Sequence, residues 1–199
     1  LSPAVVGSLL MFVPAQPGAS GAGQGPAAAT TRRIDLGAEL TAKHFRSSGR
    51  SAAPVADRPG AVRVSAGDGP GVVWIEGTDF GLGTLEVDVR GKDTLNSSFL
   101  GVAFHRVDDA TYEDVYLRPF NFRATDPARH QHAIQYESMP RNPWMVLRQT
   151  FPEEFENPVD ASVDPNNWVS LRLVIDAGRI RAFAGSASAP ALEVRRLSQ

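Results

Sequence analysis

From about residue 34 onward, apolar and polar residues alternate with a period of two, the mark of strands that bury one face. The pattern predicts strands over residues 61–66, 72–76, 84–90, 99–106, 111–118, 130–136, 168–176 and 179–184, with a further strand beginning at Pro190. Turn residues separate them: Gly67-Asp-Gly-Pro-Gly71, Gly77 to Gly83, Asp108-Asp109, Pro119, and Ala177-Gly178, which suits a tight hairpin. No stretch holds a helical period for long, and residues 36–46 have room for one short helix. Many short strands joined by Gly, Pro and Asp turns predict an all-β fold, an antiparallel two-sheet sandwich of the jelly-roll type. No internal repeat suggests a propeller or solenoid.

Side chains alternate across a strand, so each strand divides into two faces. One set is apolar and is the predicted core: Leu85, Val87, Val89, Leu100, Val102, Phe104, Val115, Leu117, Ile134, Tyr136, Val169, Leu171, Leu173 and Ile175. The other carries Glu86, Asp88, His105, Tyr112, Asp114, Tyr116, Arg118, Gln135 and Arg172 between the small residues Gly101, Ala103 and Ala133. Any antiparallel sheet can turn a polar face to water. Tyrosine rings, an amide and a guanidinium fork above small residues are also the chemistry of a saccharide platform. Trp144, expected in a loop after the strand that carries Gln135, is placed to wall such a groove.

The N-terminus differs in composition. Residues 4–13 are an apolar run too short to span a bilayer, followed by Pro, Gly, Ala and Ser up to Thr31. Residues 1–31 are therefore expected to be part of a signal segment with a linker, and residues 32–199 the β domain of a secreted or periplasmic protein. The start of a strand at Pro190 so near the end suggests truncation at the C-terminus. The chain has 199 residues, a net charge of −2, no cysteine and no basic stripe, so neither nucleic acid nor stable membrane insertion is expected. Disulfides and thiolate chemistry are excluded. Neither a nucleophile elbow nor a familiar metal motif occurs, so no cofactor and no metal are expected.

Glu86 and Asp88 share a face about 6–7 Å apart along the strand, a spacing glycoside hydrolysis can use. Arg90 lies next on that face and can hold Asp88 ionised instead.

The runs Gly101-Val-Ala-Phe-His-Arg106, Tyr112-Glu-Asp-Val-Tyr-Leu-Arg-Pro119 with Asn121, Gln131-His-Ala-Ile-Gln-Tyr136, Trp168 and Pro190-Ala-Leu-Glu-Val194 resemble the bacterial concanavalin A-like lectin/glucanase superfamily. Within it they are similar to domains described as family 16 glycoside hydrolase-like or 3-keto-disaccharide hydrolase. The resemblance implies an exported jelly roll with one sheet face turned to saccharide. Catalytic family 16 members resemble E-x-D-x-x-E on one strand; Glu86 and Asp88 match its first acids, and Gly91 stands where the last glutamate would be. A carbohydrate ligand is thus expected at His105, Asp114, Tyr116, Arg118, Asn121, Gln135 and Trp144. The alternative is an enzyme using Glu86, Asp88 or Asp114 as acid or base.

Overall fold

A computed structural model describes residues 4–13 and 30–197. In chain order its elements are β1 (Ala4–Val13), β2 (Thr30–Ile34), α1 (Leu36–Thr41), β3 (Phe45–Ser48), β4 (Ala52–Pro54), β5 (Val62–Val64), β6 (Val72–Ile75), β7 (Gly83–Arg90), β8 (Leu100–Phe104) and β9 (Tyr112–Leu117). A 3-10 turn (Pro119–Asn121), α2 (Pro127–Gln131), β10 (Ile134–Met139), α3 (Trp144–Thr150), β11 (Glu156–Asn157), β12 (Val169–Ile175), β13 (Arg179–Ala184) and β14 (Leu192–Arg195) follow.

The strands form a large antiparallel sheet in the order β14-β13-β12-β7-β1-β5-β4, with β2 also paired to β1, a four-stranded sheet in the order β11-β10-β9-β8, and a two-stranded antiparallel sheet of β3 and β6. In the large sheet Leu85, Val87 and Val89 of β7 stand opposite Leu173, Leu171 and Val169 of β12. In the small one Val102, Val115 and Tyr136 line up across β8, β9 and β10, beside Leu100, Leu117 and Ile134. The two ladders meet in a single hydrophobic core, which makes the fold an all-β sandwich. Every predicted core residue is buried except Val102, which is half-buried and packs against that core.

The apolar run 4–13 forms β1, flanked by β7 on one side and by β5 and β2 on the other. Such a run serves a strand between two neighbours as readily as a leader, and periodicity does not separate the two. Residues 14–29, the remainder of the expected linker, lie outside the described residues.

Two local expectations are corrected. Residues 130–131 are the end of α2, not a strand: Asp126 caps the helix, its side chain accepting from Ala128 N–H, and Pro127 occupies the first turn. Trp144 opens α3 and is not in a loop. The strand carrying Gln135 starts later than expected and runs on to Met139, which adds Glu137 to it.

The carboxyl pair on the outer face of the four-stranded sheet

The small sheet has a core face and an outer face, and the outer one carries most of the predicted site. β9 contributes Tyr112, Asp114 and Tyr116 to it. Register sets Asp114 directly opposite Glu137 of β10 and Ala103 of β8, and Tyr116 opposite Gln135 and Gly101. Directly opposed residues have Cβ atoms about 4.5–5.5 Å apart, so the carboxyls of Asp114 and Glu137 share one small region.

This face is not open to water as a polar sheet face normally is. Trp74 of β6 packs edge-on against Tyr112 at 5.4 Å. Phe99, just before β8, lies 6.3 Å from the Tyr116 ring and 5.3 Å from Phe120. The start of α3 closes on Glu137, whose Oε1 accepts the Trp144 N–H at 2.5 Å. Tyr112, Tyr116, Arg118, Asn121, Gln135 and Glu137 are all buried.

Arg118 binds together one end of the face. It donates from Nη2 to the Tyr116 hydroxyl at 2.8 Å, from Nη1 to the His132 carbonyl at 2.9 Å, and from both to Gln135 Oε1 at 3.4–3.5 Å. Asn121 reaches the same His132 carbonyl through Nδ2 at 3.1 Å. The Gly101 position is filled by its neighbour. A Cβ there would meet the Val115 carbonyl at 2.0 Å and Tyr116 Cα at 2.5 Å. The missing side chain therefore lets β9 and Tyr116 approach β8; it does not leave a floor for a ligand ring.

The electrostatics single out the carboxyls. Asp114 Oδ1 is buried with no hydrogen-bond partner. Burial, and then the charge of Glu137, push the Asp114 pKa well above the usual carboxylate range. Burial also raises Glu137, opposed by the Trp144 N–H and the positive charge of Arg118. Two neighbouring acids that both resist ionisation titrate as a unit and hold a proton between them to higher pH than either would alone. Burial, with the charges of Asp114 and Glu137, moves the Tyr112 hydroxyl up to about 12.

The sequence-predicted residues thus divide. Asp114, Tyr116, Arg118 and Gln135 come together, with Asn121 behind them and Trp144 against Glu137. His105 does not join them. It has a positive φ of 50°, which breaks the alternation after β8, and its ring turns to the core side: Nδ1 lies 2.8 Å from Glu113 Oε1, and Nε2 meets the Gly81 carbonyl. Glu86 and Asp88 lie in the large sheet, Glu86 opposite Arg172 and Asp88 opposite Ser170. The nearest cation to Asp88 is Arg58 at 3.8 Å, and not the expected Arg90, whose guanidinium stands over Trp168. These two acids therefore cannot share a site with Asp114. Glu137 escaped the sequence reading because the strand was ended at Tyr136. Continuing the alternation of Gln135 by two residues reaches it.

Among the described residues no group of three or more His, Asp or Glu is placed to hold a metal ion, and no helix is long and apolar enough to cross a membrane. No family model matches the chain, and no match is found among curated proteins or solved structures.

Proposed function

We propose that this domain hydrolyses a glycosidic bond at the outer face of the four-stranded sheet, with Asp114 and Glu137 as its acid–base pair. The observation that carries the reading is the opposed pair, in which Glu137 is buried and the enclosed Oδ1 of Asp114 has no partner. Desolvated acids with raised pKa values are arrangements that stability alone does not favour and that catalysis uses. Asp114 is the proton donor, because no donor or cation meets its Oδ1. Glu137 is the ionised partner, because the Trp144 N–H and Arg118 favour its charge. Asp114 gives its proton to the glycosidic oxygen as the C–O bond breaks, and Glu137 stabilises the positive charge on the anomeric carbon. Water supplies hydroxide to that carbon and returns a proton to the pair, so the net change is addition of water across the bond.

The resemblance to concanavalin A-like jelly rolls supports the same substrate class, at the level of fold analogy. Export belongs to the reading, since polysaccharide lies outside the cell. A second reading, saccharide binding without cleavage, is favoured by the exposed rings of Phe99 and Trp144. Reducing-sugar release from a panel of plant, algal and bacterial polysaccharides, by wild type, Asp114→Asn and Glu137→Gln, tests the choice. Release by wild type that falls by at least about a hundredfold in both variants is expected, the scale of lost acid–base catalysis. Equal release by all three overturns the assignment, and binding without release selects the second reading.

A further inference from the structure

We infer that the outer face of the large sheet is a docking surface for an anionic phospholipid bilayer, on whose headgroups the domain adsorbs without spanning it. The inference goes beyond the hydrolytic reading and does not depend on it.

Ile34, Val62 and Val89 belong to the core, so their neighbours on β2, β5 and β7, Arg33, Arg63 and Arg90, stand on the opposite face. Arg33 and Arg63 are exposed and Arg90 is half-exposed. Among the described residues none of the three makes an ion pair or a side-chain hydrogen bond. The acids of that face are already answered by other arginines. Glu193 meets Arg179 at 2.6 Å, Asp88 lies 3.8 Å from Arg58, and Glu86 stands opposite Arg172. The chain as a whole has a net charge of −2, so this excess of cations is segregated to one side of the sandwich. Like charges gathered without partners work against the compact state, and they orient a molecule toward an anionic surface.

Arg58 and Trp168 extend the cationic face. The loop between β4 and β5 folds back on itself, Val55 N–H donating to the Ala61 carbonyl at 3.3 Å and Ala61 N–H to the Arg58 carbonyl at 3.1 Å. Val55 and Ala61 are buried, and Trp168 packs against them. That sets the Arg58 guanidinium 3.8 Å from the centre of the indole, with Arg90 at 5.2 Å from the same ring. An indole flanked by basic side chains is the composition of protein surface that meets a headgroup layer.

The cations frame an area, not a track. In register Val5 of β1 lies between Arg90 and Arg63, and Leu10 lies between Glu86 and Arg33. β1 itself contains no charged residue. From strand spacing and rise, the three arginines bound an area of roughly 10 Å by 15 Å with that uncharged strand through its middle. A linear polyanion calls for an unbroken row of cations, whereas cations spread around an uncharged strip fit a layer of headgroups. The carboxyl pair lies on the outer face of the other sheet, so adsorption leaves it turned away from the bilayer.

The test sediments the full chain with vesicles of phosphatidylcholine alone or with about 30% phosphatidylglycerol, at about 0.05 and 0.5 M salt. Binding to the anionic vesicles at low salt is expected, at least about tenfold stronger than at high salt or on neutral vesicles. Arg63→Gln and Arg90→Gln should each weaken it about fivefold, the effect of one basic residue at a charged surface. Arg141→Gln, the same charge change on an exposed residue before α3, should leave it unchanged. If thermal melts show that Arg90→Gln lowers stability, the exposed Arg63 carries the comparison. Equal binding to both kinds of vesicle, or a loss as large in Arg141→Gln, overturns the inference. Binding to inorganic polyphosphate with none to vesicles also overturns it and identifies a soluble polyanion as the partner. Sugar release enters none of these outcomes, so this inference and the hydrolytic reading fail separately.

Discussion

Glu113 and Asp114 are neighbours in sequence and opposites in circumstance. Both lie on β9, Glu113 buried and Asp114 half-buried with its Oδ1 enclosed, but they point to different faces of the four-stranded sheet. On the core face Glu113 has a partner for each oxygen. Arg196 donates to Oε1 at 2.6 Å and to Oε2 at 3.3 Å, the Tyr136 hydroxyl donates to Oε2 at 2.8 Å, and His105 lies 2.8 Å away. Burial pushes this carboxyl up, but the hydrogen bonds from His105, Arg196 and Tyr136 outweigh it and hold the pKa at about 2. On the outer face Asp114 meets another acid and an unanswered burial penalty, and its pKa goes the other way. Burial sets the stakes for a carboxylate, and its partners decide whether the charge is held or refused. One side of the strand therefore reads as architecture and the other as chemistry.

The largest expected effect comes from breaking the architectural side. Glu113→Gln leaves Arg196 without its counter-charge in a mostly buried network, and losing one member of such a pair is worth about 3–5 kcal/mol. The same network docks the chain end, since Leu197 N–H donates to the Tyr136 hydroxyl at 3.2 Å and Arg196 N–H to the Gly178 carbonyl at 2.9 Å. Urea denaturation of the variant should show that loss. The pH dependence has a definite sign. The folded pKa is depressed, to about 2 from an ordinary 4.5. The stability this group contributes is therefore fully present above pH 4.5 and is lost as pH falls toward 2. Glu113→Gln should flatten that acid limb. A variant that matches wild type from neutral pH down to the acid limb would reduce the contrast between the faces to burial alone.

The chemical side should respond with the opposite sign and a smaller size. Asp114 has a raised folded pKa, so the folded state binds its proton more tightly than the unfolded chain does. Its favourable contribution is present below the unfolded pKa and is lost as pH rises through the folded one. At neutral pH the acid is a burden on the fold, and Asp114→Asn, which cannot ionise, should stabilise by about 1 kcal/mol, a rise of roughly 2–4 °C in Tm. The advantage should shrink in acid, where wild type is protonated. Calorimetric melts of both proteins across pH are the measurement. Gaining stability while losing activity is the signature of a site strained for function. A fall in Tm at neutral pH would mean that Asp114, like Glu113, is structural.

The two sheets also differ in how far the sequence revealed them. In β7 and β12 the alternation of Leu85-Glu-Val-Asp-Val89 and Val169-Ser-Leu-Arg-Leu173 is reproduced strictly, with one face buried and the other half-exposed. Period two carries the information there, because the outer positions of both strands stay half-exposed. On β9 and β10 nearly every position is buried on both faces. Residues distant in sequence cover the outer face, Trp74, Phe99, Phe120 and Trp144, and local pattern holds no trace of them. Hence Tyr116 and Arg118 lie on the face their alternation predicts and are buried there. His105 was misplaced for another reason. A positive φ at a non-glycine residue reverses the alternation at one point, and no residue type announces it. Glu137 was legible, since the alternation that gives Gln135 reaches it two residues later and the register then sets it opposite Asp114.

The smallest expected effect separates the two sheets as sites. Glu86 and Asp88 are the acids a spacing argument selects, because they share one face of one strand and stand apart by an interval suited to glycoside chemistry. Their surroundings lack what Asp114 and Glu137 possess. Asp88 has 44% of its side chain exposed and meets Arg58 only at 3.8 Å, a surface pair whose median worth is near zero. Glu86 faces Arg172 across the strand pair, and that arginine lies flat over Phe183, 3.8 Å from the ring centre. Both acids are half-exposed on the outer face of β7. Glu86→Gln and Asp88→Asn should each change stability by less than about 0.5 kcal/mol, as surface substitutions usually do. Each should leave sugar release within about twofold of wild type, a difference below 1 kcal/mol in the barrier. Measured beside Asp114→Asn and Glu137→Gln on the same polysaccharide, this pair asks which sheet carries the reaction. If Glu86→Gln or Asp88→Asn abolishes release while the outer-face variants retain it, the active face is that of the large sheet. The buried pair on the small sheet would then be a strained structural feature with no catalytic part.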